Sequence, residues 1–174
     1  MTTVVERASE RSTPTTSPPQ TSPEELEVLT FSIDDQSYGL PITCIQEIRR
    51  IEQVTRLPET AAYVLGVINL RGRIAPVLDM RCLLDAEPEP DSMDVTIMVV
   101  HQERLFGLRV DGVSDVRRLL SSDLHSIDTL SLGQNVTQLT AGVASAEDGL
   151  VILLDTNALC SGFVPVEGAQ AQAA

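Results

Sequence analysis

Two charged residues, Glu47 and Arg71, stand inside stretches of the chain that are otherwise apolar. Glu47 lies in the alternating segment Ile45-Gln46-Glu47-Ile48, and Arg71 follows Val67-Ile68-Asn69-Leu70. Both patterns are typical of half-buried strands. Periodicity alone favours two side chains that face solvent, where an ion pair contributes about 0–1 kcal/mol. The alternative is a partly buried ion pair beside a groove, whose disruption at full burial would cost about 3–5 kcal/mol.

The thiols and imidazoles are the other groups that could carry chemistry. Cys44, Cys82 and Cys160 are far apart, and His101 and His125 add no close ligand pair. Buried, inert thiols in a reducing cytosol are the expected reading. A zinc site or a Cys-dependent hydrolase is the alternative, although structural and catalytic zinc sites usually bring their ligands in close pairs. We therefore expect no metal and no cofactor.

The composition excludes several classes of function. The net charge is −13, and all 12 basic residues are Arg, so a Walker A lysine or a Schiff-base lysine is excluded. Such acidity also argues against binding to nucleic acid. We find no signal peptide and no apolar run of about 18 residues, so we expect a cytoplasmic protein without membrane insertion. Catalytic motifs are absent, and the chain is not expected to be an enzyme. Four acids are expected at turns and on the surface: Asp79, Asp85, Asp111 and Asp115.

Two segments of the first half recur in the second half. The stretch 31–40 resembles 99–108 at an offset of 68 residues, and 66–79 resembles 142–155 at an offset of 76 residues. The change in offset predicts an insertion of 8 residues, placed in the polar stretch 117–140. Repetition in the same order indicates a duplicated unit.

The elements that must position these residues are short strands separated by Gly and Pro turns, a pattern typical of small β-barrels. We expect a folded region over 26–163, with a first barrel over 26–86 and a second over 92–159. Short helices are expected at 58–65, 81–84 and 155–159. Residues 1–24, rich in Thr, Ser and Pro, are expected to form a disordered tail, and 164–174 a flexible one.

Val110, Val113 and Val116 form an apolar set with a spacing of three. Core packing is the default interpretation of such a set. A partly exposed stripe would instead be a docking surface, and the sequence alone does not separate the two.

Taken together, the ordered motifs resemble the CheW-like chemotaxis adaptor family over about 26–163. The motifs are Tyr38-Gly39-Leu40, Ile45-Gln46-Glu47-Ile48-Arg49, Gln53-Val54-Thr55-Arg56-Leu57-Pro58, Gly66-Val67-Ile68-Asn69-Leu70-Arg71-Gly72, Pro76-Val77-Leu78-Asp79-Met80-Arg81 and Val110-Asp111-Gly112-Val113-Ser114-Asp115-Val116. The resemblance implies a mainly β fold, with two SH3-like five-stranded barrels packed on a shared core and short helices. It implies no catalysis.

The resemblance also implies partners and site residues. Such adaptors join the tips of methyl-accepting chemotaxis receptors to the regulatory domain of a CheA-type histidine kinase. Ile45, Glu47 and Arg71 match receptor-binding positions, and Glu47 and Arg71 match a charge pair. Val110, Val113 and Val116 match a strand near the receptor and kinase contacts. A stand-alone adaptor is expected rather than a kinase. The alternatives are the same fold in a pilus or surface-motility signalling array, and the Cys-dependent hydrolase.

Overall fold

A computed structural model describes residues 24–51, 53–88, 95–127 and 133–162 of the chain. Within these ranges the chain forms eleven strands and three short α-helices. The expected mainly β fold class is confirmed. Of the two expected tails, only Glu24 is described, and it is exposed. The other residues of 1–24 and all of 164–174 lie outside the described residues.

The first of the two sheets has six strands. Their order across the sheet is β8-β1-β2-β11-β10-β9. The strands are β1 (Glu25–Ile33), β2 (Gln36–Pro41), β8 (Gly112–Leu120), β9 (Leu124–His125), β10 (Thr140–Ala146) and β11 (Gly149–Leu154). All neighbouring pairs are antiparallel except β2 and β11, which run parallel.

The second sheet has five strands in the order β3-β6-β7-β5-β4. They are β3 (Ile45–Arg50), β4 (Val64–Leu70), β5 (Arg73–Asp79), β6 (Val95–His101) and β7 (Arg104–Val110). Here β5 and β7 form the parallel pair. This arrangement matches that of five strands of the first sheet, each replaced by its counterpart from the other half of the chain, and only β9 has no counterpart in the second sheet.

The two halves exchange strands, so each sheet contains strands from both. The expectation of one barrel over 26–86 and another over 92–159, each a continuous stretch of chain, is therefore wrong. A single 3-10 turn (Ile42–Cys44) carries the chain from β2 in the six-stranded sheet to β3 in the five-stranded sheet. Asp111 alone makes the reverse crossing, between β7 and β8. Because both connections are so short, the third strand of each half pairs with the hairpin of the other half.

The predicted duplication extends to the starts of two of the helices. Asp79 precedes α1 (Met80–Leu83), and its Oδ1 accepts a hydrogen bond from the backbone N of Arg81 at 2.9 Å. Asp155 precedes α3 (Thr156–Gly162) and accepts from the N of Asn157 at 2.8 Å. Both acids satisfy backbone donors at a helix start. The short helices expected at 81–84 and 155–159 are thus present, shifted by one to three residues.

The expectation of a short helix at 58–65 is wrong. Glu59 has φ +58, outside the helical region, and residues 58–63 form turns instead. β4 already begins at Val64, which pairs with Leu78 in β5. Residues 128–132 of the polar stretch 117–140 lie outside the described residues. The described part of that stretch includes β9 and α2 (Gln134–Leu139).

The main core lies between the two sheets. The six-stranded sheet contributes Phe31 and Leu40, and the five-stranded sheet contributes Ile97, Phe106 and Leu108, each at most 1% exposed. Burying an aliphatic or aromatic side chain of this size stabilises a fold by about 1.5–3 kcal/mol. Two smaller clusters fill the barrels, one around Val28, Leu119 and Leu153 and the other around Leu70, Ala75 and Met98. No helix within the described ranges has the length and apolarity needed to cross a membrane.

Candidate partner-binding surface

Arg71 is placed by the turn of the β4–β5 hairpin. Arg71 and Gly72 form a two-residue connection with φ +52 and +86. Positive φ at both central residues is typical of the type I′ turn, whose twist matches that of the flanking strands. The side chain of Asn69 fixes the turn, since its Oδ1 accepts a hydrogen bond from the Gly72 N at 2.8 Å. The guanidinium of Arg71 therefore projects from a rigid corner.

Glu47 lies on β3 at the opposite edge of the same sheet, where it faces Met98 of β6. Its Oε2 accepts a hydrogen bond from Arg71 Nη2 at 2.9 Å, and its Oε1 lies 3.3 Å from Arg49 Nη1. The contact expected from the family resemblance is formed. Because β3 and β4 are the two edges of the five-stranded sheet, this ion pair joins edge to edge and helps to close the barrel.

The burial of this pair decides its energetic role. The Glu47 side chain is 23% exposed, whereas that of Arg71 is 73% exposed. An ion pair this open to water contributes about 0–1 kcal/mol, so the larger cost of a buried pair does not apply. What the pair supplies is orientation, since Glu47 holds an accessible guanidinium at a fixed place on an acidic protein.

Ile45 and its neighbour Ile48 differ in exposure. Ile45 is half-buried and packs against the main core, while Ile48 is 44% exposed. A bulge in β3 between Ile45 and Glu47 interrupts the regular alternation. Ile48, which lies opposite Ile97 of the main core, is thus an exposed aliphatic residue on β3 that sequence reasoning did not single out.

The set Val110, Val113 and Val116 runs from the core to the surface. Val110 is 2% exposed and belongs to the main core, so its assignment as a direct partner contact is corrected. Val113 is half-buried, and Val116 is 40% exposed. Val113 and Val116 lie opposite Phe31 and Leu29 of β1, on either side of a bulge, whereas Val110 belongs to β7 of the other sheet.

A hydroxyl on β1 occupies that bulge. Thr30 is 3% exposed, and its Oγ1 donates a hydrogen bond to the backbone O of Asp115 at 2.8 Å. The backbone N of Asp115 in turn donates to Thr30 Oγ1 at 3.2 Å. Thr30 thereby fixes the part of β8 that presents Val116 to solvent.

Sequence reasoning missed Arg81. This residue of α1 is 8% exposed, and its guanidinium contacts both Asp111 and Asp34. Its Nη1 also donates to the backbone O of Glu87. The expectation that Asp111 is a turn and surface residue is incomplete, because its carboxylate neutralises a buried cation. A signal was present in the sequence, since Arg81 interrupts the apolar run from Met80 to Leu84.

The thiols do not have the properties of a nucleophile. Burial raises the pKa of Cys44 to about 11, and burial together with Asp79 and Asp85 raises the pKa of Cys82. Cys160 is 1% exposed. A catalytic cysteine is accessible and has a lowered pKa, and neither Cys44 nor Cys82 has both properties. Within the described residues, no three His, Cys, Asp or Glu side chains are grouped so that they could hold a metal ion.

Comparison with known proteins gives a consistent result. The sequence model of the CheW-like domain matches residues 27–163. The chain is 35% identical to the chemotaxis protein CheW of Helicobacter pylori over 133 residues, covering 75% of this chain and 79% of that protein. It is 34% identical to the chemotaxis protein CheW of Klebsiella aerogenes over 136 residues, covering 78% and 81%.

A solved structure shows the same fold. The crystal structure of the scaffolding protein TtCheW from Thermoanaerobacter tengcongensis superposes with a TM-score of 0.69 at 25% identity, and the match covers 76% of this chain and 90% of that one. The chain belongs to the CheW-like domain family.

Proposed function

We propose that this protein is a chemotaxis adaptor that couples methyl-accepting receptors to a CheA-type histidine kinase. The observation that carries the proposal is the exposed Arg71, held by Glu47 where the five-stranded barrel closes, in a chain similar to chemotaxis proteins along most of its length. The described residues that could bear chemistry are either structural or inert, and this favours a role in holding partners together. Such a role belongs in the cytoplasm, where the proposed kinase would act.

The receptor would bind at Ile45, Glu47 and Arg71. With a net charge of −13, most of the protein surface repels an acidic partner. Arg71 offers a local exception, and its planar guanidinium can bind a carboxylate through two hydrogen bonds. The exposed Ile48, the next residue after Glu47 on β3, would add apolar contact area to a partner that wraps the edge of the sheet. An apolar centre with a charged rim is a common arrangement in protein interfaces.

The surface formed by Val113 and Val116 would contribute the second contact, with Val110 supporting it from the core. Because β8 belongs to the six-stranded sheet and β3 to the five-stranded sheet, the two contacts lie on different sheets. A conformational shift in the bound receptor would change the activity of the kinase by changing the populations of the kinase's conformational states. Coupling of this kind requires a connection between the sites that transmits a free-energy difference. The packed core between the sheets supplies that connection.

Charge reversal at Arg71 tests the receptor contact. We expect Arg71→Glu to weaken binding of a purified receptor cytoplasmic hairpin, measured by calorimetry, by at least about tenfold, since one attractive contact becomes repulsive. Arg56→Glu is a matched control, because Arg56 is also exposed and belongs to neither of the two proposed contacts. If the two variants weakened binding equally, the change in net charge alone would explain the loss. Arg71 would then not belong to the proposed site.

A further inference from the structure

We propose that the turn of the β10–β11 hairpin is a docking surface for an arginine-bearing segment of a partner protein. The methylene stem of the arginine packs on Leu150, and its guanidinium binds Glu147 and Asp148. These two acids are the central residues of the turn, since Ala146 pairs with Gly149. All three contact residues are exposed, with Leu150 at 55% and the Asp148 side chain at 78%.

Leu150 has an equivalent in the other half of the chain. It pairs with Ser145 as Ile74 pairs with Asn69, in the two hairpins that repeat one another. Within the described ranges, five large apolar side chains are exposed, and Leu150 and Ile74 are the two most exposed of them. An isolated exposed aliphatic residue needs no explanation. One that recurs at an equivalent position beside a charged turn indicates a surface that the fold presents twice.

The charges around the two turns are reversed. In the five-stranded sheet, Arg71 of the turn pairs with Glu47 on β3. In the six-stranded sheet, Asp148 of the turn pairs with Arg117 on β8. β3 and β8 are equivalent strands, since each is the third strand of its half of the chain. A surface that offers a guanidinium to an acidic partner in one barrel therefore offers carboxylates to a basic partner in the other.

Arg117 does not neutralise the acidic turn. A hydrogen bond to Asp148, together with the charges of Asp115 and Glu147, raises the pKa of Arg117. One guanidinium thus lies among three carboxylates, and the local charge is negative. A carboxylate has about four lone-pair sites, so Asp148 can accept hydrogen bonds from a second guanidinium while it keeps the first. Such hydrogen bonds are charge-assisted and strong.

A small cavity beside the turn gives the arginine room. Its volume is about 40 Å³, and its lining includes Arg117, Asp148 and Leu150. One water needs about 10–15 Å³, whereas pockets for drug-sized molecules occupy about 300–1,000 Å³. The cavity therefore admits part of one side chain and not a small-molecule ligand. Ser37 and Ser114 also line it, and their hydroxyls can accept hydrogen bonds from a guanidinium.

The equivalent end of the five-stranded barrel is filled. Three apolar residues pack there in one cluster, each at most 5% exposed: Leu70, Met98 and Leu105. The strand pairings place Ala146, Thr30 and Ser37 at the equivalent positions of the six-stranded barrel. All three replacements are smaller, and two of them carry a hydroxyl. The opening beside the acidic turn thus follows from these substitutions and is not a requirement of the fold.

The surface is separate from both contacts of the proposed function. Arg71 belongs to the other barrel. On β8, Arg117 lies opposite Val28 of a smaller cluster, whereas Val116 lies opposite Leu29 of the main core. Successive residues of a strand project from opposite faces. The inference does not rest on the identity of the receptor or the kinase, so its test succeeds or fails independently of the proposed function.

The test uses the full-length chain and the blocked peptide acetyl-Ser-Arg-Ser-Arg-Ser-amide. The control is the same peptide with citrulline, a neutral analogue of similar shape, in place of both arginines. NMR titration should show saturable shifts at the Leu150 methyls and at the amides of Asp148 and Gly149. The citrulline peptide should bind at least about fivefold more weakly, because hydrogen bonds between charged groups are the stronger ones. Failure of the arginine peptide to saturate these shifts would overturn the proposal, as would equal binding of the citrulline peptide.

Charge variants separate the turn from the acidity of the whole protein. Glu147→Gln combined with Asp148→Asn should weaken peptide binding at least about fivefold, since both charge-assisted contacts are lost. Asp35→Asn combined with Glu103→Gln removes the same charge from the exposed β1–β2 and β6–β7 turns. This control should weaken binding less than about twofold, because remote exposed charges are screened. Equal losses in the two double variants would contradict a local site.

The aliphatic contact has its own matched pair. Leu150→Ser should weaken peptide binding at least about threefold through lost apolar contact, and Ile74→Ser, at the equivalent exposed position, should leave it unchanged. Equal effects of these two variants would overturn the proposal. The alternative occupant is a second copy of the chain, which analytical ultracentrifugation detects. We expect a monomer, and self-association that Glu147→Gln with Asp148→Asn abolishes would assign the surface to that copy and overturn the proposal.

Discussion

Arg81 and Asp111 form a two-point ion pair in which Arg81 Nε lies 2.6 Å from Asp111 Oδ1 and Nη2 lies 2.5 Å from Oδ2. Arg81 follows the last strand contributed by the first half of the chain, and Asp111 is the residue at which the second half crosses between sheets. Asp34, in the β1–β2 turn, completes the cluster through Arg81 Nη1 at 2.7 Å and through its own backbone N, which donates to Asp111 Oδ2 at 2.8 Å. This cluster ties the two exchanged halves together.

Removing the cation should destabilise the protein strongly. We expect Arg81→Ala to lower the free energy of unfolding by about 3–5 kcal/mol, because it leaves the largely buried Asp111 carboxylate without its partner. Arg81→Lys should recover part of this loss, since it restores the charge without the two-point geometry. Urea unfolding measures both effects. Arg118→Ala, at an exposed ion pair, is the control and should change stability by less than about 1 kcal/mol. Comparable losses for Arg81→Ala and this control would contradict the account.

Gly66 should tolerate no side chain. It has φ +144, and an added Cβ would lie 2.2 Å from the backbone O of Thr55. Backbone strain and overpacking each cost about 1–3 kcal/mol, so Gly66→Ala should destabilise by at least about 2 kcal/mol. Gly142 is the matched position in the repeat, where the nearest atom to an added Cβ is 3.3 Å away. Thermal unfolding should therefore show a clearly smaller loss for Gly142→Ala, and similar losses at the two glycines would argue against this reading.

The repeated hairpins were predictable because their information is local. Turn residues and alternating apolar residues recur at fixed offsets, and the β1–β2, β6–β7, β4–β5 and β10–β11 hairpins all follow them. The pairing of hairpins was not predictable in the same way. A strand such as β3 has the same local pattern whether it pairs with its own half or with the other half. Its partner is decided by the short connection after Pro41 and by burial in the common core.

The candidate site was predictable in part for a similar reason. Glu47 and Arg71 stand out in their own segments, but their contact depends on closure of the barrel. Arg81 stands out less, because its partners Asp34 and Asp111 are 77 residues apart and meet only through the exchange of strands. The assignment of Val110 failed because this residue ends β7 in the five-stranded sheet and packs in the main core, whereas Val113 and Val116 lie on β8 of the six-stranded sheet.

The Glu47–Arg71 pair should orient more than it stabilises. In a double-mutant cycle with Glu47→Ala and Arg71→Ala, we expect a coupling in unfolding free energy of at most about 1 kcal/mol, as for other exposed pairs. The same cycle on receptor binding should be non-additive, because loss of Glu47 leaves the guanidinium without its fixed position. Strictly additive binding effects, within about 0.3–0.5 kcal/mol, would mean that Glu47 does not act through Arg71.

The thiols should react slowly at neutral pH. Because the pKa of Cys44 is raised to about 11, its thiolate fraction at pH 7 is very small and grows about tenfold per pH unit up to that value. Alkylation of Cys44 by iodoacetamide, followed by mass spectrometry, should accelerate accordingly between pH 7 and 9. The pKa of Cys82 is also raised, so this exposed thiol should show rising reactivity over the same range. An alkylation rate at either residue that is fast and constant above pH 7 would contradict this prediction and would support a catalytic thiol.

Formation of a ternary complex tests the adaptor function most directly. Receptor cytoplasmic hairpins assembled on vesicles are mixed with the regulatory domain of a CheA-type kinase, with and without this protein, and sedimented. We predict that the kinase domain sediments substantially more when the adaptor is present, and that Arg71→Glu removes this gain whereas Arg56→Glu does not. Kinase recovery that is independent of the adaptor, or unaffected by Arg71→Glu, would contradict the account.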